Sequence, residues 1–250
     1  MKLVILISLF FTFQFSFAEK SSENAVKFLI VESWPEPYAF FDQERSLTGG
    51  ALREIIEEIS KRMGVRAEYV YFSRNRADAA IEKGSAEVRC YINEAWATKP
   101  DLYLFTQPIF LTTNSVIWKK GRTPLTKMSD LHGKTIGTVS GYIYKTVDDL
   151  FKSGKAKRSD LNNEGMNITL LMKDRINYAI VETASFKSSM TKKNDHILKD
   201  IEFFQIDSIP VKCGVLKKNM GLFKLVDSAI EKMKQDGTIK TIATKYNLKY

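Results

Sequence analysis

Apolar residues follow two rhythms along this chain of 250 residues. Short runs rich in β-branched and aromatic side chains fall at residues 26–31, 65–72, 86–92, 135–139, 178–181 and 201–205, and each reads as a buried strand. Between them the spacing turns helical. Leu52, Ile55, Ile56, Ile59 and Met63 share one face of a helix that opens after Gly49-Gly50 and closes at Gly64. Residues 76–83 form a short helix closed by Gly84, and residues 142–151 and 168–174 form two more. Near the end, Leu222, Leu225, Val226, Ala229, Ile230 and Met233 make one stripe, stopped by Asp236-Gly237. Ile239, Ile242, Ala243 and Tyr246 make a second. Strand–helix alternation predicts an α/β fold with mostly parallel sheets covered on both faces. Residues 102–110 and 115–118 are extended with no helix between them, as a chain crossing from one unit to another would be. Residues 210–216 are extended again and bring the chain back, so the first unit is discontinuous.

The amino terminus breaks the pattern. After Lys2, residues 3–17 are almost continuously apolar, and Ser16 and Ala18 are small residues where a signal peptidase reads. Residues 1–18 are expected to be a cleaved secretory signal, since the run is short of the ~20 residues that a membrane span needs. No cysteine follows the cleavage point, so no lipid anchor is expected. The mature protein is expected in the periplasm. The formal net charge is +9, but basic and acidic residues are interleaved and no basic stripe carries stacking aromatics. That excludes a nucleic-acid partner and leaves a solvated basic surface. His132 and His196 have no metal-ligand spacing around them, no G-x-S-x-G elbow is present, and no phosphate-cradling glycine loop is present. No metal, cofactor or catalytic residue is expected.

The middle of the chain carries the most specific pattern. Phe105-Thr106-Gln107-Pro108 ends one strand, and Leu131-His132-Gly133-Lys134 precedes another. Gly84, Glu87 and Lys99 keep the spacing of a G-x-x-D motif with a cation twelve residues on. Arg175-Ile176-Asn177-Tyr178-Ala179 leads to Glu182, and Asp236-Gly237-Thr238, Ile242, Lys245 and Tyr246 close the chain. In order and spacing these motifs resemble bacterial extracellular solute-binding proteins of family 3, the polar amino-acid-binding proteins of ABC importers. The resemblance covers nearly the whole mature chain. It implies a two-lobed, type II periplasmic-binding-protein fold with a hinge, in which residues 19–112 and 212–250 make one lobe and 113–211 the other.

The resemblance also implies roles. Lys99 stands where an arginine clamps the ligand carboxylate. Ser140, Gly141, Tyr142 and Ile143 stand where a turn at a helix start adds anion donors. Glu182 stands where an aspartate takes the ammonium. Each departs from the usual pattern: lysine is a point charge where arginine is a flat fork, glutamate reaches further than aspartate, and Ile143 replaces a hydroxyl. Glu94 sets a carboxylate near the expected ligand carboxylate. Trp34, Tyr38, Tyr91, Trp96 and Tyr142 are candidate pocket aromatics, and Arg74 is a further candidate. In this fold the strands holding Cys90 and Cys213 are neighbours, so these are either a disulfide or two buried thiols. The implied function is capture of a small polar solute, an amino acid or related amine, by a monomer that delivers it to an importer permease. The alternatives are a sensor docking to a receptor ectodomain and a cyclohexadienyl-dehydratase-like enzyme, with Glu94 or Glu182 as general acid.

Overall fold

The computed structural model describes residues 24–193 and 195–250; the expected leader, residues 1–18, lies outside them. The chain runs β1 (Ala25–Val31), β2 (Phe40–Phe41), β3 (Leu47–Gly49), α1 (Ala51–Met63), β4 (Arg66–Phe72), α2 (Ala77–Glu82), β5 (Val88–Ile92), β6 (Tyr103–Phe105) and β7 (Phe110–Thr112). Thr113 leads on to β8 (Asn114–Lys119), β9 (Thr135–Val139), α3 (Lys145–Lys152), β10 (Lys157–Leu161), α4 (Glu164–Met172), β11 (Tyr178–Glu182), α5 (Thr183–Lys193), α6 (Asp195–Lys199) and β12 (Ile201–Gln205). Residues 206–208 return the chain to β13 (Ile209–Leu216), α7 (Met220–Gln235) and α8 (Thr238–Lys245).

Two sheets result. The first has the order β4-β1-β5-β13-β6, with β7 also on β13, and the second the order β10-β9-β11-β8-β12. Each has its own core. Leu29, Ile30, Leu52, Ile55 and Ile56 are buried in the first, and the second packs two clusters, one with Val116, Ile136 and Ile180 and the other with Ile117, Leu171 and Val181. The helices form where the apolar stripes require them. α1 ends on Gly64, whose φ of 67° is left-handed, so its N–H turns back to Lys61 and Ser60 carbonyls. α7 and α8 fold back on the first lobe, where Lys245 Nζ and Tyr246 Oη each lie 2.6 Å from Glu54 Oε1. Leu225 is not part of the buried stripe of α7; it is 56% exposed, because Leu222, Val226, Ala229, Ile230 and Met233 already fill the face toward the sheet.

The sheets are mixed rather than mostly parallel. β4, β1 and β5 run parallel, as do β10, β9 and β11, but β13 and β8 run antiparallel to their neighbours. The cause is topological. A strand entered directly from the other lobe starts at the gap between lobes, whereas the strands of βαβ units end there. Besides the short antiparallel pair of β2 and β3, two stretches escaped the sequence reading. β10 is a polar edge strand with half-exposed side chains, which masks the alternation a strand should display. The α5–α6 segment carries too few spaced apolar residues to announce a helix. Among the described residues no helix is long and apolar enough to cross a membrane.

Candidate interlobe binding site

The carboxyl ends of the parallel strands of both sheets face one another, which is where open α/β sheets bind ligands. Ser33 follows β1, Arg74 follows β4 and Tyr91 lies in β5; opposite them Ser140 follows β9, Asn162 follows β10 and Glu182 ends β11. These residues line a cavity of about 760 Å³ and an adjoining pocket of about 40 Å³, and Arg74 and Tyr142 line both.

Arg74 is held by a single 3₁₀ turn, Arg74–Arg76, at the end of β4. Its guanidinium crosses the gap and stacks 4.5 Å from the centre of the Tyr142 ring, a cation–π contact between lobes. Burial lowers its pKa, but an arginine stays charged at any working pH. Among the described residues no carboxylate is within ion-pair distance of it. A desolvated cation with only a ring for a partner is a ready anchor for a ligand carboxylate.

Two carboxylates of the second lobe line the same cavities, Glu164 the larger and Glu182 the smaller. Glu182 is 6% exposed and accepts from Ser185 N and Ser185 Oγ, both at 2.7 Å, and from Ala184 N at 3.2 Å; it therefore caps the start of α5. Glu164, at the start of α4, accepts the Glu182 N–H at 2.9 Å. Burial pushes the Glu164 carboxyl up to about 8, and the neighbouring Glu182 adds to the rise. Sequence reasoning missed Glu164. The signal was Asn163, whose side chain caps α4 by accepting from Met166 N at 2.9 Å, but the strand before it went unread.

The first-lobe wall is aromatic. Between the Cys90↔Cys213 and Ile92↔Lys212 pairs of β5 and β13, Tyr91 is the extra residue of a β-bulge, and its φ of 59° is left-handed. Bulges re-aim side chains, and here Tyr91 turns toward the cleft. Its ring lies 4.7 Å from Tyr38, 5.7 Å from Trp96 and 6.1 Å from Trp34. Cys90 and Cys213 form a disulfide across β5 and β13 beside the bulge. Asn93 fixes the following turn, accepting from Ala95 N and Trp96 N and donating to the Pro210 carbonyl at 2.9 Å. Trp34 and Tyr38 are buried behind Tyr91 and do not line the cleft. The Tyr38 hydroxyl is buried without a well-formed hydrogen bond, and burial and Glu182 raise its pKa.

Several expected site residues stand elsewhere. Lys99 does not reach the cleft; it is exposed and pairs with Glu82 at 2.7 Å. The reason is the loop backbone, whose Thr98 and Lys99 N–H groups donate to Asp78, itself paired with buried Arg89 at 2.7 Å. Glu94 also points outward, to Lys212 at 2.6 Å. The Ser140–Tyr142 turn is not a helix start, because α3 begins only at Lys145. Its Ser140 and Tyr142 N–H groups already donate to the Leu161 and Val139 carbonyls. Gly141, with φ of 75°, abuts Asn75 of the first lobe; a Cβ there would lie 3.6 Å from Asn75 Oδ1. Ser140 lines the larger cavity and Ile143 the smaller pocket, with Thr112, Asn114 and Tyr144, which the sequence reading did not single out.

A model of the bacterial extracellular solute-binding proteins, family 3, matches residues 29–249. A probable histidine-binding protein of Campylobacter jejuni is 24% identical over 212 residues, covering 83% of this chain and 80% of its own. The L-cystine-binding protein TcyJ of Escherichia coli is 25% identical over 239 residues, covering 92% and 88%. Among solved structures, an ancestral arginine-binding protein bound to arginine has a TM-score of 0.72 at 22% identity, over 89% of this chain and 98% of its own. The ancestral amino acid-binding protein AncCDT-1, a precursor of cyclohexadienyl dehydratase, has a TM-score of 0.70 at 16% identity, over 89% and 95%. At these identities the solved structures bear on the fold alone.

Proposed function

Because this chain belongs to the bacterial extracellular solute-binding proteins, family 3, we propose that its cleft captures an amino-acid-type solute in the periplasm and delivers it to the permease of an ABC importer. Arg74 takes the carboxylate, Glu164 with Glu182 takes the ammonium, and Tyr91, Trp96 and Tyr142 enclose the remainder. The observation that carries this reading is the Arg74 guanidinium, without a carboxylate partner among the described residues, in cavities that Glu164 and Glu182 of the opposite lobe also line. A zwitterion touching both walls stabilises the closed form through contacts an open form lacks. Thr113 and residues 206–208, the two crossings, are the hinge. Asp207 ties them together, accepting from Asn114 N and Asn114 Nδ2 at 3.0 Å. The protein acts as a monomer and performs no covalent chemistry. Both Glu182 oxygens are engaged by α5 donors, which disfavours a general-acid role for it, and Glu94 is paired at the surface.

A thermal-shift screen of the common amino acids tests this reading. A ligand at a hundred times its Kd stabilises by about 2.7 kcal/mol. Arg74→Ala should abolish the shift, whereas Lys99→Ala should keep it, since an exposed pair contributes at most about 1 kcal/mol to stability and nothing to the cleft. A shift that survives Arg74→Ala, or disappears in Lys99→Ala, refutes the assignment of the carboxylate anchor.

A further inference from the structure

We propose that the solute is an α-amino acid with a long apolar side chain, its charged head between Arg74 and Glu164 and its tail in a groove between α4 and α5. The inference rests on reading the cleft as the solute site and adds the chemistry of the part of the ligand that differs between amino acids.

The larger cavity does not stop at the charged head site. It follows one face of α4 through Glu164, Gly165, Ile168, Thr169 and Met172, positions that share a side of the helix. Eight steps from Glu164 to Met172, at 1.5 Å each, give about 12 Å, the length of three to four extended residues. A cavity of about 760 Å³ is of the size that encloses a drug-sized ligand.

The groove is lined by hydroxyl residues, yet their hydroxyls are already engaged. Thr169 Oγ1 donates to the Gly165 carbonyl at 2.9 Å, Ser189 Oγ to the Phe186 carbonyl at 2.8 Å and Ser185 Oγ to Glu182 at 2.7 Å. What they present to a guest is chiefly hydrocarbon. Ile168, Met172, Met190 and Ile197 supply the apolar lining, with Lys173 at the Met172 end of the groove, and methionine side chains adapt to irregular apolar shapes. Short of Lys173 at its far end, a polar side chain entering this groove would lose water and gain few partners; an alkyl chain loses nothing.

Isothermal titration with alanine, 2-aminopentanoate, 2-aminohexanoate and 2-aminooctanoate keeps the head constant and lengthens the tail. Each methylene buried in the groove should tighten binding about fourfold. Thr169→Trp sets an indole across the groove and should flatten the ratio of the 2-aminooctanoate to the alanine affinity. Ser189→Trp blocks it from α5 and serves where the first variant does not fold. Equal affinities along the series, or an unchanged ratio in a folded blocked variant, overturn the tail assignment while alanine binding preserves the cleft reading. Failure of every member of the series to bind overturns both.

Discussion

Replacing Glu164 by glutamine should make the protein more stable, and increasingly so as pH rises. In the folded state burial holds this carboxyl up to about 8, against an ordinary value of 4.5. The unfolded chain therefore releases the proton near pH 4.5 while the folded one keeps it. Between those values the folded state binds more protons, so stability falls as pH increases. At 1.36 kcal/mol per pH unit, the separation between 4.5 and 7 amounts to a ceiling of about 3 kcal/mol at neutral pH. Glu164 lines an open cleft, and solvent there reduces the cost to about 1–2 kcal/mol. Glutamine keeps an acceptor for the Glu182 N–H and has no charge to desolvate. For a chain of this size the gain corresponds to about 2–8 °C in Tm. Melting curves of both proteins from pH 5 to pH 8 check it: the two should nearly coincide at pH 5 and diverge steadily above. Parallel Tm–pH profiles, or a variant less stable at pH 8, would refute the reasoning that Glu164 is a desolvated carboxyl.

Two further outcomes follow from the packing. Replacing Cys90 and Cys213 together by serine opens a link between residues 123 apart in sequence, which should cost about 2–5 kcal/mol, read as a lower denaturation midpoint; an unchanged midpoint would show that the bond carries no stability. Gly137→Ala should cost about 1–3 kcal/mol by overpacking, because its Cβ would collide with Asn167 Oδ1 and lie 2.6 Å from Ile176 Cδ1; a wild-type melting temperature would mean that α4 yields freely over β9.

The sequence by itself determined most of the fold. The apolar runs and helical stripes are local periodicities, and each corresponds to burial against one sheet, so the strands at 25–31, 66–72, 88–92, 135–139 and 178–182 and the helices α1, α7 and α8 lie where the pattern puts them. Of the two charge positions that the family motifs gave, Glu182 lines the cleft and Lys99 does not. Only the tertiary structure decided which side chains enter that cleft, because orientation depends on partners distant in sequence. Lys99 keeps the motif spacing yet is drawn to the surface by Glu82, while its loop is held by Asp78. Arg74 lines the cleft because a 3₁₀ turn aims it at Tyr142, some seventy residues away. Tyr91 faces the cleft because of a one-residue bulge beside the disulfide, which no alternation pattern reveals. Periodicity reports which face of an element is buried; it does not report which neighbour that face meets, and the chemistry of a site is set by the neighbours.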